Sequence, residues 1–495
     1  MSLINVTNLT FAYDGSYDNI FENVSFQIDT NWKLGFTGRN GRGKTTFLNL
    51  LLGKYECSGS ISSKVPFEYF PYEVKSKENN TIDVIEEVFP DYVLWEVMRE
   101  LSLLEVDDEV LYRPFDTLSN GEQTKVLLAA LFLKENSFLL IDEPTNHLDI
   151  NARKVVSDYL RTKHGFILVS HDRAFLDNCI DHVLSINKTN IEIQKGDFSS
   201  WWENKEMQDN YERAENDKLK KDIKRLSEAA KRTSEWSNKA EAKKIGFDPT
   251  QTEKSIGRRP YQGAKAKKMM SRSKTIQERQ QSAIEDKSKL LKNIESSEKL
   301  KIAQLNFHTD RLVELENISI AYGDKTACDN VTFTIEQGDR IALMGKNGSG
   351  KSSIIKLICG EEINYTGTMR KSNQLKLSYV SQNTEHLYGN LSDYARTNEI
   401  DESLFKAILR KLDFSRVQFE KDISDFSGGQ KKKVLIAKSL CDKAHLHIWD
   451  EPLNFIDVIS RMQIEELLLE HQPTILFVEH DIEFCNNIAT KIVQL

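Results

Sequence analysis

Four short motifs each occur twice in this chain, in the same order and at nearly the same spacing. Lys44 lies 75 residues before Ser119 and Lys351 lies 76 before Ser427; Asp142 and Asp450 each follow those serines by 23; His171 and His480 follow those aspartates by 29 and 30. A collinear repeat of four landmarks leaves chance out of account, so the chain must fold as two copies of one unit. The stretch between the copies has no match elsewhere and forms a third element. A length of 495 residues suits about two to four domains, each with its own core. The expected boundaries are 1–200, 201–305 and 306–495.

In each copy a short apolar run leads into a glycine-rich loop. Lys33 to Thr37 precedes Gly38-Arg-Asn-Gly-Arg-Gly-Lys-Thr45, and Arg340 to Met344 precedes Gly345-Lys-Asn-Gly-Ser-Gly-Lys-Ser352. Both read GxxxxGKS/T between a strand and a helix. The glycines let successive backbone N–H groups face a phosphate, and the following helix points its positive end at the same place. Lys44 and Lys351 then reach the β and γ phosphates, while Thr45 and Ser352 hold Mg2+. ATP and Mg2+ are the implied cofactors. The binding loops comprise Gly38, Asn40, Gly41, Gly43 and Thr46 in the first copy and Gly345, Asn347, Gly348, Gly350 and Ser353 in the second.

The other landmarks are Leu118-Ser-Asn-Gly-Glu-Gln123 with Phe426-Ser-Gly-Gly-Gln430, Asp142-Glu143-Pro144 with Asp450-Glu451-Pro452, and Ser170-His171-Asp172 with Glu479-His480-Asp481. With the phosphate loops, these make both flanks resemble the ATP-binding cassette family. The resemblance implies two α/β cassettes that close face to face, each ATP lying between one phosphate loop and the opposite signature. It implies that Asp142 orients the Mg2+ shell, Glu143 polarises the attacking water and His171 senses the γ phosphate. Ser427, Gly428, Gly429 and Gln430 would close that site. The second mirrors it with Asp450, Glu451 and His480, closed by Ser119, Asn120, Gly121 and Glu122. Phosphoryl transfer needs mostly positioning and neutralisation of developing charge, which these residue types supply. Tyr13 and Tyr322 fall where the family stacks a ring on adenine; a tyrosine packed at a strand edge is the plainer reading of each.

Three departures from the family pattern predict unequal sites. Asn120 stands where the signature usually has its first glycine, and asparagine tolerates φ > 0 well enough to keep such a turn. The glutamine usually offered to Mg2+ is present as Gln382 in the second copy, but the first reads Phe70-Pro-Tyr72 there. After the Asp-Glu-Pro triplets the copies differ again, Thr-Asn-His-Leu-Asp149 against Leu-Asn-Phe-Ile-Asp457.

The unmatched middle carries thirteen basic and four acidic residues between 231 and 274, a net +9 in a chain whose total is −8. The remainder therefore sums to −17, and such segregation reads as a polyanion-seeking element on an acidic body. Met207, Tyr211, Ala214, Ile223, Leu226 and Ala230 recur at helical spacing, and Ile276, Ala283, Leu290 and Ile294 repeat the stripe. Two helices of roughly 35 residues would extend about 50 Å as an antiparallel hairpin. Glycines and prolines break the pattern near its tip, at about residues 236–263. There Lys243, Lys244, Phe247, Arg258, Arg259 and Tyr261 mix rings with cations, a combination suited to RNA, whose unpaired bases stack on rings and whose phosphates meet cations. A solvated loop is the alternative. Phe198-Ser-Ser-Trp-Trp202 reads as packing at the root.

Paired cassettes joined by a long charged helical linker resemble the ABC-F translation factors, most nearly the Lsa and Vga type antibiotic resistance proteins. That implies a ribosomal partner, with contacts to large-subunit RNA near the peptidyl transferase centre and to tRNA. It further implies protection against lincosamides, pleuromutilins and streptogramin A. A housekeeping factor that adjusts tRNA position is the alternative, and an ATPase pair serving a transporter is a third reading, opposed by the long basic linker. A monomer whose cassettes pair within the chain is expected. Six cysteines without CxxC spacing argue against zinc or a disulfide framework and favour a reduced cytoplasm. No apolar run approaches the roughly 18 residues of a membrane span, and the start shows no basic region followed by an apolar one.

Overall fold

Apolar runs of four to six residues bounded by turn formers become the central strands of two mainly parallel sheets, buried on both faces. The computed structural model describes residues 2–13, 19–134, 136–146, 148–187, 190–245, 267–268, 271, 274–276, 279, 305–323, 325–346 and 348–495. By packing, the chain forms two units, Met1–Trp201 with Lys299–Leu495, and Trp202–Glu298. The first unit contains both copies.

In the first copy the strands are β1 (Leu3–Phe11), β2 (Phe21–Asp29), β3 (Lys33–Thr37), β4 (Ser58–Ser62), β5 (Phe67–Phe70), β6 (Phe138–Asp142), β7 (Phe166–Val169), β8 (His182–Asn187) and β9 (Asn190–Lys195). They form a six-stranded sheet in the order β5-β6-β7-β3-β8-β9 and a three-stranded antiparallel sheet, β2-β1-β4. The second copy repeats this with β10 (Arg311–Tyr322), β11 (Lys325–Glu336), β12 (Arg340–Met344), β13 (Tyr365–Lys371), β14 (Leu377–Val380), β15 (Leu446–Asp450), β16 (Ile475–Val478) and β17 (Lys491–Gln494), ordered β14-β15-β16-β12-β17 and β11-β10-β13. The expected α/β class and duplication are both present.

Helices fill the crossovers. The first copy has α1 (Lys44–Leu51), α2 (Thr81–Val88), α3 (Leu94–Leu103), α4 (Asn120–Phe132), α5 (Ile150–Thr162) and α6 (Arg173–Cys179). Helix α7 is Phe198–Ile245, 48 residues, longer than the sequence suggested. No glycine or proline interrupts the chain from Phe198 to Ile245, and Gly246 follows, so nothing in the sequence stops the helix earlier. Its start is anchored in the first unit, where Phe198 and Trp201 are buried with ring centroids 5.4 Å apart. Lys243 and Lys244 lie in its last turn. The expected RNA-facing residues Phe247, Arg258, Arg259 and Tyr261, and most of the expected return helix, lie outside the described residues. The second copy has α8 (Lys351–Cys359), α9 (Leu391–Thr397), α10 (Glu402–Lys411), α11 (Gly428–Cys441), α12 (Val458–His471) and α13 (Ile482–Ile488). No helix of the described residues is long and apolar enough to cross a membrane.

One polar knot fixes β15, the strand that ends in Asp450. Trp449 is fully buried, and its Nε1 donates to Ser439 Oγ at 2.9 Å. Ser439 Oγ also lies 2.9 Å from Ser378 Oγ and 3.1 Å from His447 Nδ1. Burial pushes His447 down to about 4, so its ring is neutral and can share this cluster without a counter-charge. Ser439→Ala would strand the indole N–H and is expected to cost about 1–3 kcal/mol, read as a lower urea midpoint at unchanged slope. An unaltered midpoint would mean that the indole finds another acceptor.

Candidate nucleotide sites

Each glycine-rich loop leaves the C-terminal end of a central strand, β3 or β12, and turns into α1 or α8. Gly43 and Gly350 precede those helices with φ of 93° and 86°, conformations that only glycine adopts without strain. The lysines fold back on their own loops. Lys44 Nζ donates to Gly38 O at 2.6 Å and Asn40 Oδ1 at 3.2 Å; Lys351 Nζ donates to Gly345 O at 2.8 Å and Lys346 O at 2.9 Å. Burial lowers both ammonium groups from their usual range, while nearby carboxylates oppose it.

At the first site Asp142, at the end of β6, accepts from Thr45 Oγ1 at 3.2 Å and Tyr69 OH at 3.1 Å. Burial raises its carboxyl, and these two donors oppose the shift. The next residue, Glu143, turns the chain with φ 52°. Its Oε1 lies 3.1 Å from His171 Nε2 yet has no hydrogen-bond partner, so the pair is close but misaligned. Burial, then the charge of Asp142, pushes the Glu143 carboxyl up to about 8. Burial and the Lys44 charge hold His171 well below its ordinary value.

The second site differs at the same position. Gln382 Nε2 and Asn454 Nδ2 both donate to Glu451 Oε2 at 2.7 Å, and His480 Nε2 lies 3.4 Å from Oε1. Burial again raises the carboxyl, but His480, Asn454 and the Lys432 charge outweigh it, leaving Glu451 below its ordinary value. Ser352 Oγ donates to Asp450 Oδ1 at 3.5 Å. The first copy has Tyr72 at the Gln382 position, so Glu143 lacks that amide donor. Tyr72 instead donates to Glu87 at 3.3 Å.

The copies meet through these loops. Ser427 caps α11 in a reciprocal box with Gln430, as Ser119 caps α4 with Glu122. A Cβ added to Gly429 would stand 2.3 Å from Phe455 O and 3.1 Å from Asn40 Nδ2. Asn40 Nδ2 donates to that carbonyl at 2.7 Å, and the Asn40 N–H reaches Asp457 Oδ2 at 3.5 Å. The first phosphate loop thus lies against the signature and the Asp457 turn of the second copy. Asp457 also accepts from Lys433 at 3.2 Å. Burial opposes its ionisation, but Lys433 and Lys44 outweigh that and hold its carboxyl well below the usual range.

The expected residues Lys44, Thr45, Thr46, Asp142, Glu143 and His171 are brought together, as are Lys351, Ser352, Ser353, Gln382, Asp450, Glu451 and His480. Tyr13 OH lies 2.8 Å from Thr46 Oγ1 and Tyr322 OH donates to Ser353 Oγ at 3.3 Å, both rings exposed beside the helix starts. Asn347 lies outside the described residues. The reason given for Asn120 needs correction: it opens α4 as an ordinary helical residue and is not among the positive-φ positions. A Cβ at its counterpart Gly428 would meet Phe455 at an ordinary 3.8 Å, so space rather than turn geometry admits asparagine.

Sequence reasoning passed over Tyr69, Arg153 and Arg461. Tyr69 and Tyr379 stand 73 and 71 residues before Asp142 and Asp450, and Arg153 and Arg461 each stand four after Asp149 and Asp457; the duplication alone could have found them. A hydroxyl and a carboxylate beside each phosphate loop, with a buried Glu143 oxygen lacking a donor, fit a phosphate-bound divalent cation.

The ABC transporter family profile matches residues 21–146 and 328–454. Ribosome protection protein VmlR of Bacillus subtilis (strain 168) is 28% identical over 491 residues, covering 97% of this chain and 84% of that protein. Energy-dependent translational throttle protein EttA of Haemophilus influenzae is 26% identical over 530 residues, covering 96% and 89%. Among solved structures, archaeal ribosome recycling factor aABCE1, in complex with the stalk protein aP1, superposes with a TM-score of 0.63 at 17% identity over 98% of this chain and 87% of that one. That likeness concerns the fold alone.

The two glutamates are expected to move stability in opposite directions. The Glu143 pKa is raised to about 8, so its stabilising share is full below the unfolded value and lost as pH rises through 8. Glu143→Gln should therefore melt at least about 2 °C above the parent near pH 8.5, with the gap closing near pH 5. The Glu451 pKa is lowered, so its share is present above the unfolded value and lost in acid. Glu451→Gln should melt below the parent at neutral pH. Melting curves of nucleotide-free protein across pH decide; equal shifts for both variants would refute the asymmetry.

Proposed function

Because the chain belongs to the ABC transporter family, as an ATPase with tandem cassettes in the ABC-F arrangement, we propose that it binds the ribosome in an ATP-closed form and protects it from peptidyl-transferase-centre antibiotics. The observation that carries this is the alignment with a ribosome protection protein through both cassettes and the intervening segment, over 97% of the chain. The +9 charge of residues 231–274 supplies the polyanion-seeking element such a protein needs. We assign the cassettes to 1–200 and 306–495 and the arm to 201–305, with Lys243, Lys244, Phe247, Arg258, Arg259 and Tyr261 meeting RNA. The drugs displaced are lincosamides, pleuromutilins and streptogramin A. The setting is cytoplasmic, and the chain acts as a monomer.

In each site Lys44 or Lys351 binds phosphate, Thr45 with Asp142 or Ser352 with Asp450 holds Mg2+, and Tyr13 or Tyr322 stacks on adenine. Mg2+ neutralises phosphate charge when bound. Glu143 and Glu451 orient the attacking water and accept its proton, while His171 and His480 contact the γ phosphate. Signature residues Ser427 to Gln430 and Ser119 to Glu122 clamp from across the interface. Hydrolysis then releases the chain from the ribosome, at unequal rates in the two sites.

A housekeeping role in translation is the second reading, favoured by the 26% identity to a translational throttle protein over 96% of the chain. Minimum inhibitory concentrations in a susceptible strain separate the two: the protection reading expects a rise for at least one of the three drug classes, and no change for any large-subunit drug rejects it. Glu143→Gln with Glu451→Gln is expected to slow hydrolysis at least about tenfold and raise ATP-dependent cosedimentation with ribosomes. Binding no greater than the parent's would count against ATP-gated release. Replacing Lys243, Lys244, Arg258 and Arg259 with Ala should abolish protection and leave basal ATPase intact.

A further inference from the structure

Two arginines that no assigned role uses lie beside the interface between the cassettes, and one of them bonds across it. Arg153 lies in α5 and Arg461 in α12, each four residues after the aspartate that caps its helix. Arg153 Nε donates to Leu148 O at 3.1 Å and Arg461 Nε to Ile456 O at 2.9 Å, so each holds the turn that its own cassette offers to the opposite site. Each also grips the residue after its own cassette's histidine: Arg153 Nη1 to Asp172 Oδ2 at 2.9 Å, Arg461 Nη1 to Asp481 Oδ2 at 3.3 Å. Arg153 Nη1 then reaches across to His480 O at 3.4 Å. Arg461 holds the matching place in the second cassette by the same two kinds of bond, and its charge acts on Glu143 and His171. All four side chains in these ion pairs are nearly or fully buried, so water screens them little.

We propose that Arg153 and Arg461 are positioning residues that couple the two ATP sites, each tying the histidine turn of one site to the catalytic groups of the other. A planar guanidinium suits this because one rigid fork serves a carbonyl, a carboxylate and a third group at once, which an ammonium on a flexible stem cannot do. Movement of one histidine turn as its site opens would pull the arginine from the other site, so neither site works through its cycle alone. Arg173 supplies the contrast. It also crosses the interface, pairing with Glu465 at 2.6 Å and Glu483 at 3.2 Å, but both partners lie on helices α12 and α13 and it bonds neither the Asp149 nor the Asp457 turn.

The inference rests on reading both sites as ATPase sites, and absence of turnover in the parent would fail that reading rather than this one. Steady-state hydrolysis by the purified full chain tests the coupling. If the sites are coupled, the rates of Glu143→Gln and Glu451→Gln together fall below about one fifth of the parent rate. In the Arg153→Gln, Arg461→Gln background they are expected to recover to within about twofold of that background's own total, because the sites now act independently. In the Arg173→Gln background the deficit should persist. Additive rates in the parent, a persistent deficit without the two arginines, or recovery with Arg173→Gln would each overturn the proposal. If the glutamine pair does not fold, Arg153→Lys with Arg461→Lys keeps the buried charges without the fork, and the same recovery is expected.

Discussion

The first phosphate loop meets the second cassette at a backbone carbonyl. Gly429 has no room for a side chain because the Phe455 carbonyl occupies the space where its Cβ would be, and the Asn40 amide donates to that same carbonyl. Asn40 thus meets two segments of the second cassette, nearly four hundred residues or more away in sequence, around one oxygen atom. Phe455 itself adopts φ 64°, an uncommon state for an aromatic residue that costs of order 1–3 kcal/mol and persists only where its surroundings fix it. The signature, the Asp457 turn and the first phosphate loop are therefore mutually dependent.

Charge follows from that geometry. Bringing Lys44, Asp142, Glu143, His171 and Asp457 together at a closed interface removes them from water, and burial is the largest influence on the ionisation of every one of them. What separates the two glutamates is the supply of donors. Two amides converge on Glu451, whereas Glu143 has an oxygen with none. A carboxylate given hydrogen bonds stays ionised in a low dielectric, and one without them takes up a proton. The exchange of Gln382 for Tyr72 in the loop after β5 removes one of those two amides from the first site.

The sequence announced the fold because the repeat made each half a control for the other: strand order and loop positions coincide in both copies. The phosphate loops, the Asp-Glu pairs and the histidines were legible as motifs, since each has a fixed spacing tied to one local turn. Tyr69 and the two arginines were not, although each has a counterpart in the other copy, because their roles depend on partners distant in sequence: Tyr69 meets Asp142 across neighbouring strands, and Arg153 meets His480 across the interface. Asn120 was read through its backbone when its side-chain space was what mattered. The length of α7 was underestimated because the hydrophobic stripe fades before the helix does; absence of a breaker, not presence of a core face, sets its end.

On the proposed roles, the inequality of the glutamates also sets the two sites apart chemically. At neutral pH Glu451 is ionised as it stands, while Glu143 holds a proton until more positive charge is brought to it. Lys44, Arg461 and Arg153 are the cations that oppose its protonation, and Arg461 belongs to the other cassette. Even with Arg461 in place, burial keeps the Glu143 carboxyl high, whereas the second site has its donors built in. Two sites arranged this way differ in proton affinity through the hydrogen-bond donors each carboxylate is given, and Arg461 lessens that difference without removing it.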